Sequence, residues 1–318
     1  MPLSSPPAWT TTLVRALAII AGCLSGPAMA ATLRVGAGMP YKLPSTAAAA
    51  AHDGDHIKIA AGSYSDCAVW KANNLTIEGA GPDATVISGR PCAGKALFIT
   101  QGNAITVRNL ALTGAHVADF NGAGIRAEGG DLTIEHVRFA DDEDGILGGA
   151  LPGVKIVVRD SEFTGDGTCE GGGGCAHGIY VGHIGLLRVE NSKFLRTRSG
   201  HHIKSRALRT EVIGCDMADG ADGTSSFAVD VPNGGAVVVR GNHIQKGPRS
   251  ENHQAAVMIG EEGVSQPTPD IIVDHNTFRV DGSYEAYLLD NRTPTAAVLT
   301  GNTLQGNAQA LHGAGRVR

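Results

Sequence analysis

Apolar side chains fall into short β-branched runs that recur along most of the chain. Eight are ITVRNLAL (105–112), LTIEHVRF (132–139), IVVRDSEF (156–163), LRVENSKF (187–194), TEVIGCDM (210–217), VVVRGNHI (237–244), IVDHNTFR (272–279) and VLTGNTLQ (298–305). Each closes on or near one apolar anchor: Leu112, Phe139, Phe163, Phe194, Met217, Ile244, Phe278 or Leu304. Successive anchors lie 23 to 34 residues apart. A floor near 23 with variable excess describes a fixed coil carrying inserted loops.

A second short strand sits between anchors: AGIRAE (123–128), DGILGG (144–149), HGIYVG (177–182), HHIKSR (201–206), FAVDVP (227–232), AVMIGE (256–261) and AYLLDN (286–291). Two or three short strands per coil, with turn residues between them and no helical period after about residue 75, predict a parallel β-solenoid. A β-sandwich is the competing architecture. It needs hairpin turns, which are few here, and has no reason to repeat a coil length.

The position two before each anchor reads Leu110, Val137, Ser161, Ser192, Cys215, Asn242, Asn276 and Asn302. In a solenoid these residues stack, and the small polar ones can hydrogen-bond along the axis. Cys215 falls in this column, which predicts a buried thiol rather than a bridge.

The pattern resembles the right-handed parallel β-helix of pectate-lyase-like proteins, over nearly the whole chain. The segment 43–66, LPSTAAAAAHDGDHIKIAAGSYSD, resembles their N-terminal cap: a short Ala-rich helix, then a turn into the first coil. Such a cap is physically required, because an open solenoid end leaves backbone groups unpaired. The expected fold is therefore all-β, a right-handed parallel β-helix with a short capping helix, forming one domain over 31–318.

Composition adds a compartment. MPLSSPPAWTTTLVRALAIIAGCLSGPAMA (1–30) has Arg15, an apolar run from Ala16 to Leu24 and the small-residue site Ala28-Met29-Ala30. That pattern predicts a secretory leader cleaved after Ala30, rather than a membrane anchor, because the apolar run is too short to span a bilayer. Export to the periplasm or outside the cell permits disulfides. Of six cysteines, Cys23 leaves with the leader, so at least one of the rest lacks a partner in the chain. Cys169 with Cys175, around a Gly-rich loop, and Cys67 with Cys92 are the expected pairs, although sequence does not fix connectivity. The net charge of −5 argues against nucleic acid as a partner. No later stretch looks membrane-spanning, and a monomer is expected.

Strand alternation then nominates a site. With Ile179, Val181, Ile203, Val229 and Val231 inward, Tyr180, Lys204 and Asp230 become neighbours on one exterior sheet. His202 and Arg206 flank them, and Arg126 lies further along the column. Loops 165–176 and 261–270 border this face, and His177, His183 and His201 cluster beside it. A solvated face with a weak Lys–Asp pair is the plain alternative.

Exterior grooves in the resembled families bind extended polysaccharides, many of them for lyase chemistry. That chemistry needs a base, a cation over the uronate carboxylate and a proton donor to the leaving oxygen. Lys204 is the candidate base, Arg206 the carboxylate partner, and Tyr180 or His202 the proton shuttle. Asp230, His183, His177 and Arg126 would bind substrate. The "IKS" strand resembles that of alginate and chondroitin lyases of this fold, for Lys204 alone. GHHIKSRA with PNGG (232–235) resembles a set of exported bacterial β-helix proteins. The partner expected is an acidic polysaccharide. The acidic run DDEDG offers Asp141, Asp142 and Asp144 as calcium ligands, against a solvated turn. The histidines lack the spacing usual for zinc. Hydrolysis needs two carboxylates on one bond, and DDEDG lies about three coils from Asp230. A non-catalytic glycan binder would use the same groove without a base.

Overall fold

The computed structural model describes residues 1–3, 5 and 30–318. The leader expected over 1–30 lies, apart from residues 1–3, 5 and 30, outside the described residues. From Thr32 onward the chain winds into a right-handed parallel β-helix of short strands, and every strand ladder is parallel. Ten strands, Ala68–Trp70, Ala96–Thr100, Ala123–Ala127, Asp144–Gly148, Ile179–Val181, Ile203–Ser205, Val229–Val231, Ala255–Ile259, Ala286–Asn291 and Ala308–Gly313, form one sheet. They stack in chain order, one strand per coil. The other strands pair coil on coil in the same way.

Winding puts the repeated positions in register. Leu112, Phe139, Phe163, Phe194, Met217, Ile244, Phe278 and Leu304 form one continuous paired column. Phe139, Phe163 and Phe194 stack ring on ring at 4.6 Å, tilted by 10° and 3°. Opposite them, Ile125, Ile146, Ile179, Ile203, Val229 and Val257 are wholly buried. Burying each such side chain contributes about 1.5–3 kcal/mol before entropy is counted.

The column two before the anchors is a hydrogen-bonded ladder. Cys215 N donates to Asn242 Oδ1 (2.8 Å), Asn242 N to Asn276 Oδ1 (2.9 Å) and Asn276 N to Asn302 Oδ1 (2.9 Å). Further down, Val137 N and Ser161 N donate to the hydroxyls of Ser161 and Ser192. Cys215 is buried and unbridged, and burial pushes its thiol up to about 11.

The open end is covered by the helix Pro44–Ala50, which starts on proline, where no N–H is needed, and buries Pro44 and Ala47. A strand that the sequence pattern does not announce, Thr32–Val35, pairs with His56–Ile59 and seals the first coil. Cys67 is bridged to Cys92 across 5.5 Å between Cα atoms, and Cys169 to Cys175. Both bridges fit an oxidising compartment. Among the described residues, no helix is long and apolar enough to cross a membrane.

Candidate active site

The exterior of the ten-strand sheet carries a row with one residue per coil: Arg126, Leu147, Tyr180, Lys204, Asp230 and Met258. Coil spacing sets neighbours about 4.8 Å apart. Tyr180, Lys204 and Asp230 are thus consecutive, as alternation requires, with Arg126 two coils before Tyr180.

Alternation fails at the residue just before the inward Ile125, Ile146, Ile179 and Ile203. A Cβ on Gly124 would lie 2.7 Å from Phe139 Cδ1, and one on Gly145 2.6 Å from Phe163 Cδ1. This position therefore faces the interior, alongside the inward isoleucine that follows it. His202 occupies it one coil beyond Gly178, where the anchor shrinks from phenylalanine to Met217. His202 is thus a correction: it is 1% exposed, inside the helix, and hydrogen-bonded through Nδ1 to Thr197 Oγ1 at 2.7 Å. Burial, then Lys246, lowers its pKa to about 4 against the pull of Asp219, so the ring is neutral. It cannot carry a proton to a substrate in the groove.

The extra inward residue turns the preceding one outward, giving a second exterior column of Asp144, His177, His201 and Phe227. It is held by its own ladder. His177 N donates to Asp144 Oδ1 (2.7 Å), His201 N to His177 Nδ1 (2.9 Å) and Phe227 N to His201 Nδ1 (3.1 Å). The imidazoles of His177 and His201 stack at 4.7 Å. Gly200, at φ 67°, permits this approach, because a Cβ there would lie 2.2 Å from Ala176 O and 2.9 Å from His177 Nδ1. Each Nδ1 accepts a backbone N–H, so the proton of each neutral ring sits on Nε2. Burial, with Lys204 and Arg206 nearby, takes His177 down to about 3; burial and the facing His177 take His201 well below its usual value.

The cations are fixed. Lys204 Nζ lies 3.3 Å from Asp230 Oδ2 and 2.8 Å from Glu262 Oε1, on a side chain 13% exposed. Burial pulls its ammonium down, but Asp230 and Glu262 outweigh burial and hold it above the ordinary lysine value. Burial lifts Asp230 to about 6 against the attraction of Lys204. Arg206 Nε donates to Tyr180 Oη at 3.1 Å, Nη1 to Asn233 Oδ1, and Nη2 lies 2.6 Å from Glu262 Oε2. Lys204 and Arg206 also sit 6.0 and 5.8 Å from the centre of the Tyr180 ring. His201 Nε2 is 3.5 Å from Asp230 Oδ2.

Beside Tyr180 opens a cleft of about 570 Å³, lined among others by Phe120, Arg126, Asp144, Leu147 and the disulfide-closed loop up to Ala176. Asp144 is 1% exposed, and burial raises it to about 8, with the His177 N–H and Arg126 pulling the other way. A carboxyl on this wall is protonated at neutral pH and can donate. The three acidic residues nominated for calcium diverge. Asp141 pairs with Arg198 (2.8 Å), Asp142 is enclosed in the interior and Asp144 faces the cleft. Among the described residues, no three metal-binding side chains converge. His183 stands exposed on the following turn, outside both columns.

Sequence reasoning missed the contributions of Asp144, Asn233 and Glu262 to this site, and took His202 where His201 belongs. A signal was present: glycine at 124, 145 and 178 opposite phenylalanine at 139, 163 and 194. That complementarity marks an inward position where alternation predicts an outward one.

No family model matches the sequence, and no curated protein matches it. Among solved structures, the fold is similar to that of an alginate lyase from Paenibacillus sp. str. FPU-7. The identity is 17%, over 90% of this chain and 99% of that chain, with a TM-score of 0.67. It is also similar to ORF18 of Geobacillus virus E2, at 16% identity over 83% of this chain and 52% of that chain, with a TM-score of 0.51. At these identities the likeness is one of fold.

Proposed function

We propose that this chain is an exported polysaccharide-active protein that cleaves an acidic, uronate-containing glycan by β-elimination. One observation carries the reading: a tyrosine hydroxyl 3.1 Å from a guanidinium Nε, with a lysine of 13% side-chain exposure paired to the tyrosine on the next coil, on one exterior sheet beside the cleft that Tyr180 lines. In the reaction, Lys204 and Arg206 seat the uronate carboxylate, which acidifies the neighbouring C–H. Tyr180, its oxygen accepting a hydrogen bond from Arg206 Nε, takes that proton. The electron pair forms the C–C double bond, the glycosidic C–O bond breaks, and the leaving oxygen takes a proton from Asp144. Lys204 fits the seat better than the role of base, because its two carboxylate partners favour the charged form. The alginate lyase named above shares the fold and supports the polymer class.

Hydrolysis fits less well. Asp144 and Asp230 are three coils apart, about 14 Å at one strand spacing per coil, beyond the carboxylate separations of glycosidases. Incubation with a panel of polyuronates should give ultraviolet-absorbing unsaturated ends. Tyr180→Phe should slow their formation at least about 100-fold while binding persists. Undiminished unsaturation in that variant removes Tyr180 from the mechanism. Shortened chains without unsaturation point to hydrolysis, and binding without cleavage to a glycan-binding protein.

A further inference from the structure

The Lys204–Arg206 fork already holds a carboxylate. Glu262 reaches over from the loop after Ile259 and bridges both cations, at 2.8 Å from Lys204 Nζ and 2.6 Å from Arg206 Nη2. Its exposure differs from theirs: the Glu262 side chain is 42% exposed, those of Lys204 and Arg206 13% and 18%. Beneath, the cations have permanent partners, Asp230 for Lys204 and Tyr180 and Asn233 for Arg206. Among the described residues, Glu262 is the one that closes the fork from the solvent side.

Its loop is anchored by backbone and side-chain amide hydrogen bonds rather than through this carboxylate. Glu262 N donates to Pro232 O, Ser265 N and Gln266 N to Asn233 O, and Gln266 Nε2 to Arg206 O at 3.0 Å. Asn233 Nδ2 donates to Gly263 O. The side chain can therefore swing away while the loop stays docked. The charge exchange is even, one carboxylate leaving as another arrives, so the buried cations need never be bare.

We infer that Glu262 is a resident stand-in for the substrate carboxylate, occupying the uronate seat until an acidic sugar displaces it. This rests on the proposed acidic-glycan reading. An uncharged sugar gains no ion pair that would offset eviction of Glu262, so the residue also selects for charge. Removing it leaves the seat open and under-neutralised, and acidic sugars should bind more tightly.

Isothermal titration of the whole protein and of Glu262→Gln with defined oligouronates, and with their methyl esters, tests this. Glu262→Gln should bind the acidic oligomers on the order of threefold to tenfold more tightly, the scale of two partly exposed ion pairs. Binding of the esters should change little. Equal affinity of the two proteins for an acidic oligomer overturns the stand-in role and leaves the acidic-glycan reading intact. Failure of both proteins to bind any oligouronate overturns that reading, and this inference with it. In a crystal structure with bound oligouronate, Glu262 should have left Lys204; a Glu262 still bridging both cations overturns the inference.

Discussion

Two columns run up the inside of this helix and do the same geometric job with different chemistry. At one bend, Asn242, Asn276 and Asn302 stack, each Oδ1 accepting the backbone N–H of the coil below. At another, Asp142 and Asp166 stack likewise: Ala115 N donates to Asp142 Oδ1 (2.8 Å) and Asp142 N to Asp166 Oδ1 (3.0 Å). An asparagine has a donor left over, and Asn276 Nδ2 gives it to Val239 O (2.9 Å) and to Asn302 Oδ1 (3.0 Å). An ionised aspartate has none. Both Asp142 and Asp166 are fully enclosed, and the second oxygen of each lacks a partner. Burial pushes both carboxyls well above the usual range; the Asp166 charge pushes Asp142 further. Equivalent backbone satisfaction therefore coexists with unequal side-chain satisfaction. The unsatisfied column lies under the site sheet, where Asp142 Oδ2 comes within 2.9 Å of a Cβ built on Gly124.

The largest way to break the symmetry is Asn276→Ala. It deletes four hydrogen bonds in the interior and should cost about 3 kcal/mol. Calorimetry should show a drop in Tm, whereas an unchanged Tm would mean that the ladder contributes no stability. The reverse exchange, Asp142→Asn, should stabilise by about 1–2 kcal/mol at pH 8 by giving the orphaned position a donor toward Asp166 Oδ1. The sign of the pH effect follows from linkage. Acids whose folded pKa is raised favour the folded state fully below the unfolded carboxyl range, about pH 4. That favour is lost as pH rises toward the folded values. Urea midpoints should therefore separate wild type from Asp142→Asn at pH 8 and bring them together near pH 4. A gap independent of pH would mean that Asp142 is not protonated in the fold. The smallest effect belongs to His202, next in from the groove. His202→Gln should cost about 1 kcal/mol through the lost Thr197 contact and leave oligouronate affinity within about twofold. A large loss of affinity would return His202 to the groove.

Much of the architecture was legible because the repeat is a packing requirement. Anchors from Leu112 to Leu304 have to stack, so their spacing reveals the coil, and the Ser/Cys/Asn column follows from the same count. The consecutive row Tyr180, Lys204, Asp230 was legible for the same reason, since a strand of three residues with both ends inward leaves only its central residue to face out. The flank of the site was not. His201 replaces His202 because the chain adds an inward residue where it enters each strand, and a period of two has no place for it. Glu262 arrives from a loop 58 residues further along the chain than Lys204, where no periodicity operates. The Thr32–Val35 strand was hidden because it has no second copy with which to be compared.

The one-residue-per-coil row has an evolutionary corollary. Its chemistry is indexed along a ruler whose graduations are whole coils. Duplication or loss of a coil would slide one block of functional groups past the other by a single rung while the core on either side kept its packing. Reach along a polymer can thus be edited in discrete increments. Loops, spliced in between graduations, can change what is recognised without changing where along the ruler it is read.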